Sequence, residues 1–119
     1  MRNLILLLAT ISLIGCNGYR SMESLTRPET DKLNSLNRKH IDCLFNKADK
    51  LINGTDDVPF LTKVVISGCA GNLKEVGNYL FELNMPPDFI QRYMNSSREQ
   101  GFAAISEHIL AAKAKNNIN

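Results

Sequence analysis

The chain is 119 residues long, 44% hydrophobic and 22% charged, with 14 Lys and Arg against 12 Asp and Glu. That is one domain's worth of sequence, with enough apolar residues for a single modest core. A formal net charge of only +2, with no run of like charges, argues against a nucleic-acid binder and against a polybasic grip on anionic lipid.

The N-terminal segment stands apart from the rest. Arg2 gives a basic start, Leu4 to Ile14 is apolar except for Thr10 and Ser12, and Leu13-Ile14-Gly15-Cys16 closes the run. The stretch is well short of the roughly 20 apolar residues that a membrane-spanning helix needs. A basic start, a short apolar core and a small residue before the cut are the parts of a secretory signal, but an ordinary signal prefers a small-x-small site. Here Cys16 follows Leu-Ile-Gly instead.

On these residues the segment resembles the signal of bacterial prolipoproteins, with Leu13-Ile14-Gly15-Cys16 as the lipobox. The resemblance covers this segment alone. It implies cleavage between Gly15 and Cys16, lipidation of Cys16 with palmitate among the acyl chains, and a mature chain of 104 residues. Asn17, not Asp, follows the cysteine, which in the Gram-negative lipoproteins it resembles implies transfer to the outer membrane, on its periplasmic side. Arg2 leaves with the signal, so the mature chain is nearly neutral and attachment falls to the acyl chains. Several chains on one cysteine exceed the marginal hold of one.

Residues 16–28, with Asn17, Gly18, Ser21, Ser24, Thr26 and Pro28, read as the lipidated cysteine and a flexible polar tether leading into a helical domain over 29–119. From Glu29 to Ile52 the apolar residues Leu33, Leu36, Leu44, Ala48 and Leu51 recur on one helical face, with Cys43 beside them. Asn53-Gly54-Thr55-Asp56-Asp57 interrupts the pattern, Gly54 being able to take a left-handed cap and Thr55 or Asp57 to cap the next helix. Pro59 fits only in the first turn of that helix. Leu61, Val65, Cys69, Leu73, Val76, Leu80 and Leu83 then advance by fours and threes, which predicts one long or kinked helix from Val58 to Leu83 in spite of Gly71 and Gly77.

Asn84-Met85-Pro86-Pro87-Asp88 breaks the chain, and Pro87 presets a last helix carrying Phe89, Ile90, Tyr93, Met94, Phe102, Ile105, Ile109 and Ala112, with a kink expected at Gly101. Lys113 to Asn119 read as a frayed polar end. No strand pattern is sustained. The expected fold is all-α: a small bundle of three helices, or four if a glycine break is real, with a helical hairpin over its first two helices.

With Cys16 taken by lipid, Cys43 and Cys69 are the remaining pair in a chain bound for an oxidising compartment, which predicts a disulfide between them. The hairpin geometry agrees. Cys43 lies twelve residues before Thr55 and Cys69 fourteen after, so both stand roughly 18 to 21 Å from the bend. Closing that loop in the unfolded chain is worth roughly 3 to 4 kcal/mol on the chain-entropy account. A disulfide-clamped hairpin of this kind resembles those of small exported bacterial proteins of unassigned function.

Chemistry-bearing patterns are sparse. There is no Cys-x-x-Cys, and His40 and His108 lack ligand-like spacing, so neither a metal nor a cofactor is expected. His40 falls on the apolar stripe of the first helix as a core histidine would. Ser67, His40 and Asp42 could be assembled into a catalytic trio, but no nucleophile motif supports it and the chain reads as no enzyme. Asp56-Asp57 is an acidic helix start and lacks the spaced ligands of a calcium loop. Asn53-Gly54-Thr55 and Asn95-Ser96-Ser97 match the glycosylation pattern by accident in a bacterial setting.

Two functions fit this sequence. The first is a lipid-tethered interaction module that holds, pilots or occludes a protein partner, as pilotins, inhibitors and exclusion lipoproteins do, through aromatics drawn from Tyr79, Phe81, Phe89, Tyr93 and Phe102. The second is a carrier of a small ligand or lipid, with a cavity opened between helices by Gly68, Gly71 and Gly77.

Overall fold

The computed structural model describes residues 18–117, and every regular element among them is helical. After a single 3-10 turn at Met22–Ser24 come α1 (Arg27–Leu51), α2 (Val58–Gly68), α3 (Ala70–Glu82) and α4 (Pro87–Asn116). The bundle therefore has four helices, arranged as three rods: α1, a middle rod of α2 and α3 running back, and α4 running parallel to α1.

Local chemistry sets the boundaries. Thr26 and Glu29 form a capping box, the Glu29 N–H donating to Thr26 Oγ1 at 3.3 Å and the Thr26 N–H to Glu29 Oε1 at 2.9 Å. This starts α1 at Arg27, two residues before the apolar pattern placed it. Asp57, not Thr55, caps α2 by accepting the Phe60 N–H at 2.8 Å, with Pro59 in the first turn. Gly54 does not take the left-handed cap expected of it; Gly18 is the glycine with positive φ among the described residues.

Leu61, Val65, Cys69, Leu73, Val76, Leu80 and Leu83 are all buried, as their spacing requires, but they do not share one helix. Cys69 departs from helical geometry at φ −108° and ψ 7°. Its N–H donates to Val65 O at 3.1 Å and Ile66 O at 3.3 Å to close α2, and its carbonyl accepts from Asn72 N at 3.2 Å to open α3. The poor helix formers Gly68 and Gly71 flank this joint. At the same residue the chain is fixed sideways to α1 by the Cys43–Cys69 disulfide, with the Cα atoms 5.9 Å apart.

The α3–α4 corner is a Schellman turn: Met85 N–H donates to Leu80 O at 3.1 Å and Asn84 N–H to Phe81 O at 3.0 Å, while Asn84 takes φ 59°. α4 runs through Gly101 without a break and on to Asn116, past the point where fraying was expected, and Lys113 Nζ donates to Gly54 O at 2.7 Å. Gly101 is buried where a Cβ would stand 3.2 Å from Leu44 Cδ1, so its role is close approach of α4 to α1.

The core divides in two along the rods. One cluster gathers Leu33, Val76, Tyr79, Leu80, Leu83 and Met85 near the start of α1. The other gathers Leu44, Ala48, Leu61, Val65, Cys69, Ile105 and Ile109. Thr62 is fully buried and satisfied: its hydroxyl donates to Val58 O at 2.7 Å and accepts from Ser106 Oγ at 3.1 Å.

The tether also differs from expectation in its described part. Arg20 N–H donates to Asn84 O at 3.0 Å, Asn84 Nδ2 donates to Gly18 O, and Arg20 Nη1 and Nη2 hold the Glu29 carboxylate at 2.7 and 2.8 Å. Residues 18–26, the leader into α1, are thus laid against the bundle end. The planar guanidinium matches a carboxylate in a two-point contact that a polar composition alone does not disclose.

Candidate functional site

The parallel run of α1 and α4 leaves a groove of about 440 Å³ between them. From α1 it is lined at helical spacing by Asn37, His40, Ile41, Leu44 and Phe45, and from α4 by Tyr93, Ser97, Gln100, Gly101, Ala104 and Ile105. Leu44 and Ile105 form a buried apolar floor, Ile41 is 50% exposed, and Asn37, Ser97 and Gln100 make the margin polar. Asn37 Nδ2 donates to the Tyr93 hydroxyl at 2.6 Å and so bridges the two helices. The absence of a side chain at Gly101 keeps the floor open.

His40 is 6% exposed, and burial lowers its pKa, which favours the neutral ring in this apolar setting. His108 lies on the other side of Phe45, with ring centroids 5.0 Å apart in an edge arrangement, and its Nε2 pairs with Asp49 Oδ1 at 2.7 Å. Ser67 and Asp42 are exposed on α2 and α1, and no hydrogen bond joins either to the buried His40. Among the described residues no three His, Cys, Asp or Glu side chains are placed to hold a metal ion.

The aromatics part company. Tyr79 is core, 8% exposed, with its hydroxyl 3.5 Å from Glu29 O and Lys32 Nζ 4.5 Å from its ring; burial, then the Glu29 carboxylate, raises its pKa. Phe89 and Tyr93 are half-buried with centroids 6.0 Å apart, Phe102 is exposed, and Phe81 is 74% exposed. Tyr93 alone of the five reaches the groove. The glycines expected to open a cavity do not line it either: a Cβ at Gly68 would meet Lys47 Cε at 2.9 Å, one at Gly77 would meet Met94 Sδ at 3.0 Å, and Gly71 faces open space.

The clamp on the leader shifts both of its ionisable groups. Arg20, then the Thr26 backbone, lowers the Glu29 pKa from an ordinary 4.5 to about 2, and the same pairing raises that of Arg20. Gly15 and Cys16, the expected cleavage and lipidation residues, lie outside the described residues. No described helix is long and apolar enough to cross a membrane.

In the sequence the groove leaves only two traces, His40 on the apolar stripe of α1 and Gly101 within that of α4. Arg20 leaves none of its own, and the Thr26-x-x-Glu29 capping signature points only to where α1 begins. Compared with protein families, curated proteins and solved structures, the chain matches none.

Proposed function

We propose that this chain is a lipid-anchored, non-enzymatic interaction module that holds a protein partner at the membrane, acting as a pilot, inhibitor or exclusion factor. In a Gram-negative host its place is the periplasmic face of the outer membrane. The lipobox supports the address, and the α1–α4 groove carries the recognition half of the reading. An apolar floor of Leu44 and Ile105 beneath exposed Ile41 and a polar margin suits the apolar face of a partner helix. Lipidation supplies location: it confines the module to a thin layer and raises its effective concentration near a membrane partner.

The test is complementation of a deletion strain at equal expression. Ile41→Asp and Ala104→Glu, both at solvent-reaching positions of the groove, should abolish function without unfolding the bundle, and so should an unanchored form lacking Cys16. His108→Ala should leave function intact. Full activity of the unanchored form, or of both groove variants, would overturn the reading.

The groove volume also falls in the range of small-ligand sites, about 300 to 1,000 Å³, which supports a carrier as the second reading. Stoichiometric binding of a fluorescent fatty acid, lost in Ala104→Glu, would favour it over a protein partner.

A further inference from the structure

We infer that the end of the bundle formed by the leader and the α3–α4 corner is a membrane-contacting face, with Tyr19, Met22 and Phe81 seated in the lipid headgroup region. This deepens the anchored-module reading and rests on Cys16 being the lipidated residue.

The clamp fixes the chain at this end of the bundle. Gly18 and Arg20 are tied to Asn84, Arg20 to Glu29 and to Ser24 O at 2.9 Å, and Ser24 Oγ to Ser21 O at 2.7 Å. From Gly18 onward the chain is part of the folded body. Only Asn17 separates Gly18 from Cys16, and two residue steps span at most about 7 Å. That is comparable with the thickness of one interfacial layer, about 5 to 7 Å outside the hydrocarbon core. Acyl chains on Cys16 therefore leave the bundle no room to float free of the bilayer. The body must rest on the surface by the end to which Gly18 is tied.

The composition of that end agrees. Tyr19 is 56% exposed, Phe81 in the last turn of α3 is the most exposed large apolar side chain described, and Met22 is exposed on the 3-10 turn. A tyrosine ring favours the interface, where its body meets apolar and its hydroxyl wet surroundings, and Phe81 and Met22 add apolar area of the kind that seats in the headgroup and acyl boundary. Glu23, Arg27, Glu82, Asp88 and Arg92 at the same end are of both signs and exposed, so the contact depends on apolar seating and the acyl chains, not on anionic lipid. α1, 25 residues long, carries the Asn53–Asp57 loop up to about 37 Å away. The groove lies along the rods in between, open to a partner.

The chain contains no tryptophan, so single reporters are clean. Full-length lipidated protein is purified from membranes and reconstituted into phosphatidylethanolamine and phosphatidylglycerol vesicles whose acyl chains carry bromine near the carboxyl end. Tyr19→Trp and Phe81→Trp should be quenched several-fold more than Phe60→Trp, which sits in the first turn of α2 at the opposite end. Phe81→Trp is the deciding reporter, because it is far in sequence from the anchor. Releasing the clamp with Arg20→Ala and Asn84→Gly, the glycine accepting the positive φ, should bring quenching of Phe81→Trp down toward that of Phe60→Trp.

Mass spectrometry of Cys16 in the same preparation separates the two layers of the reading. A lipidated Cys16 with an unquenched Phe81→Trp overturns the orientation alone, and an unmodified Cys16 overturns both. An emission blue shift of Phe81→Trp without vesicles that grows with protein concentration would place a second copy of the chain on this face and overturn the membrane contact. Quenching unchanged by clamp release would show that Arg20 and Asn84 do not set the orientation.

Discussion

Arg20 and Glu29, nine residues apart, meet through two short ion-paired hydrogen bonds of 2.7 and 2.8 Å, and the Glu29 carboxylate also accepts the Thr26 N–H. One carboxylate thus both caps α1 and fastens the leader to the bundle. Its strength is limited by solvent, since neither side chain is fully covered.

Acid should undo this fastening. The folded pKa of Glu29, about 2, lies below its ordinary 4.5, so the folded state binds the proton less readily than the unfolded chain. Its contribution is fully present above about pH 5 and is lost as the pH falls through 4.5 toward 2. Urea melts between pH 2 and 7 should show an acid limb that is shallower in Glu29→Gln. An unchanged limb would mean that the pair contributes nothing to folding.

His40 should add a second slope at milder acidity. Burial lowers its folded pKa below 6.5, so its stabilisation is complete above that pH and declines as the pH falls through the lowered value. His40→Leu should flatten the stability profile below pH 6.5, and an NMR titration of the His40 ring should find a midpoint below 6.5.

The disulfide should carry a large share of the net stability. Its sequence separation of 26 corresponds to roughly 3.5 kcal/mol of loop-closure entropy. Cys43→Ala with Cys69→Ala should cost about 2 to 5 kcal/mol by chemical denaturation. Thiol titration of the denatured, unreduced soluble form lacking Cys16 should find neither cysteine free; two titratable thiols would refute the bridge.

Two glycines should respond in opposite senses. A Cβ at Gly71 meets nothing within 4 Å, so Gly71→Ala should stabilise by about 0.4 to 1 kcal/mol, chiefly by restricting the unfolded chain. At Gly77 the Met94 thioether already stands 3.0 Å from the Cβ position, and Gly77→Leu should destabilise by about 1 to 3 kcal/mol through overpacking. Thermal melts of the pair would settle both signs.

Periodicity made the buried face of the middle rod legible residue by residue, because all seven stripe positions from Leu61 to Leu83 are covered. It hid the joint at Cys69, since a one-residue departure from helical geometry leaves the spacing by fours intact on either side. The cysteine pairing was legible for a different reason, matched distances from one turn. Tyr79 and Phe81 could not be told apart by type: two positions along a helix turn a side chain from the core to the outside. The groove was the least legible feature. A gap between two helices depends on which side chains fill it, and the bare Gly101 against Leu44 is a tertiary fact. The leader misled through composition, because Arg20 finds Glu29 only once α1 has begun at Arg27.

The covalent cross-link also divides the molecule into parts of unequal permanence. The ring it closes runs from the middle of α1 through the Asn53–Asp57 loop to the joint at Cys69, and it encloses Leu44, Ala48, Leu61 and Val65. Leu33, Val76, Tyr79, Leu80, Leu83 and Met85 stand outside the ring and are held by packing and hydrogen bonds alone. Partial opening should therefore begin there, with α3 and the first turns of α1 and α4 exchanging their amide hydrogens before α2 does. The half that carries the leader is the half able to loosen while the remainder stays folded.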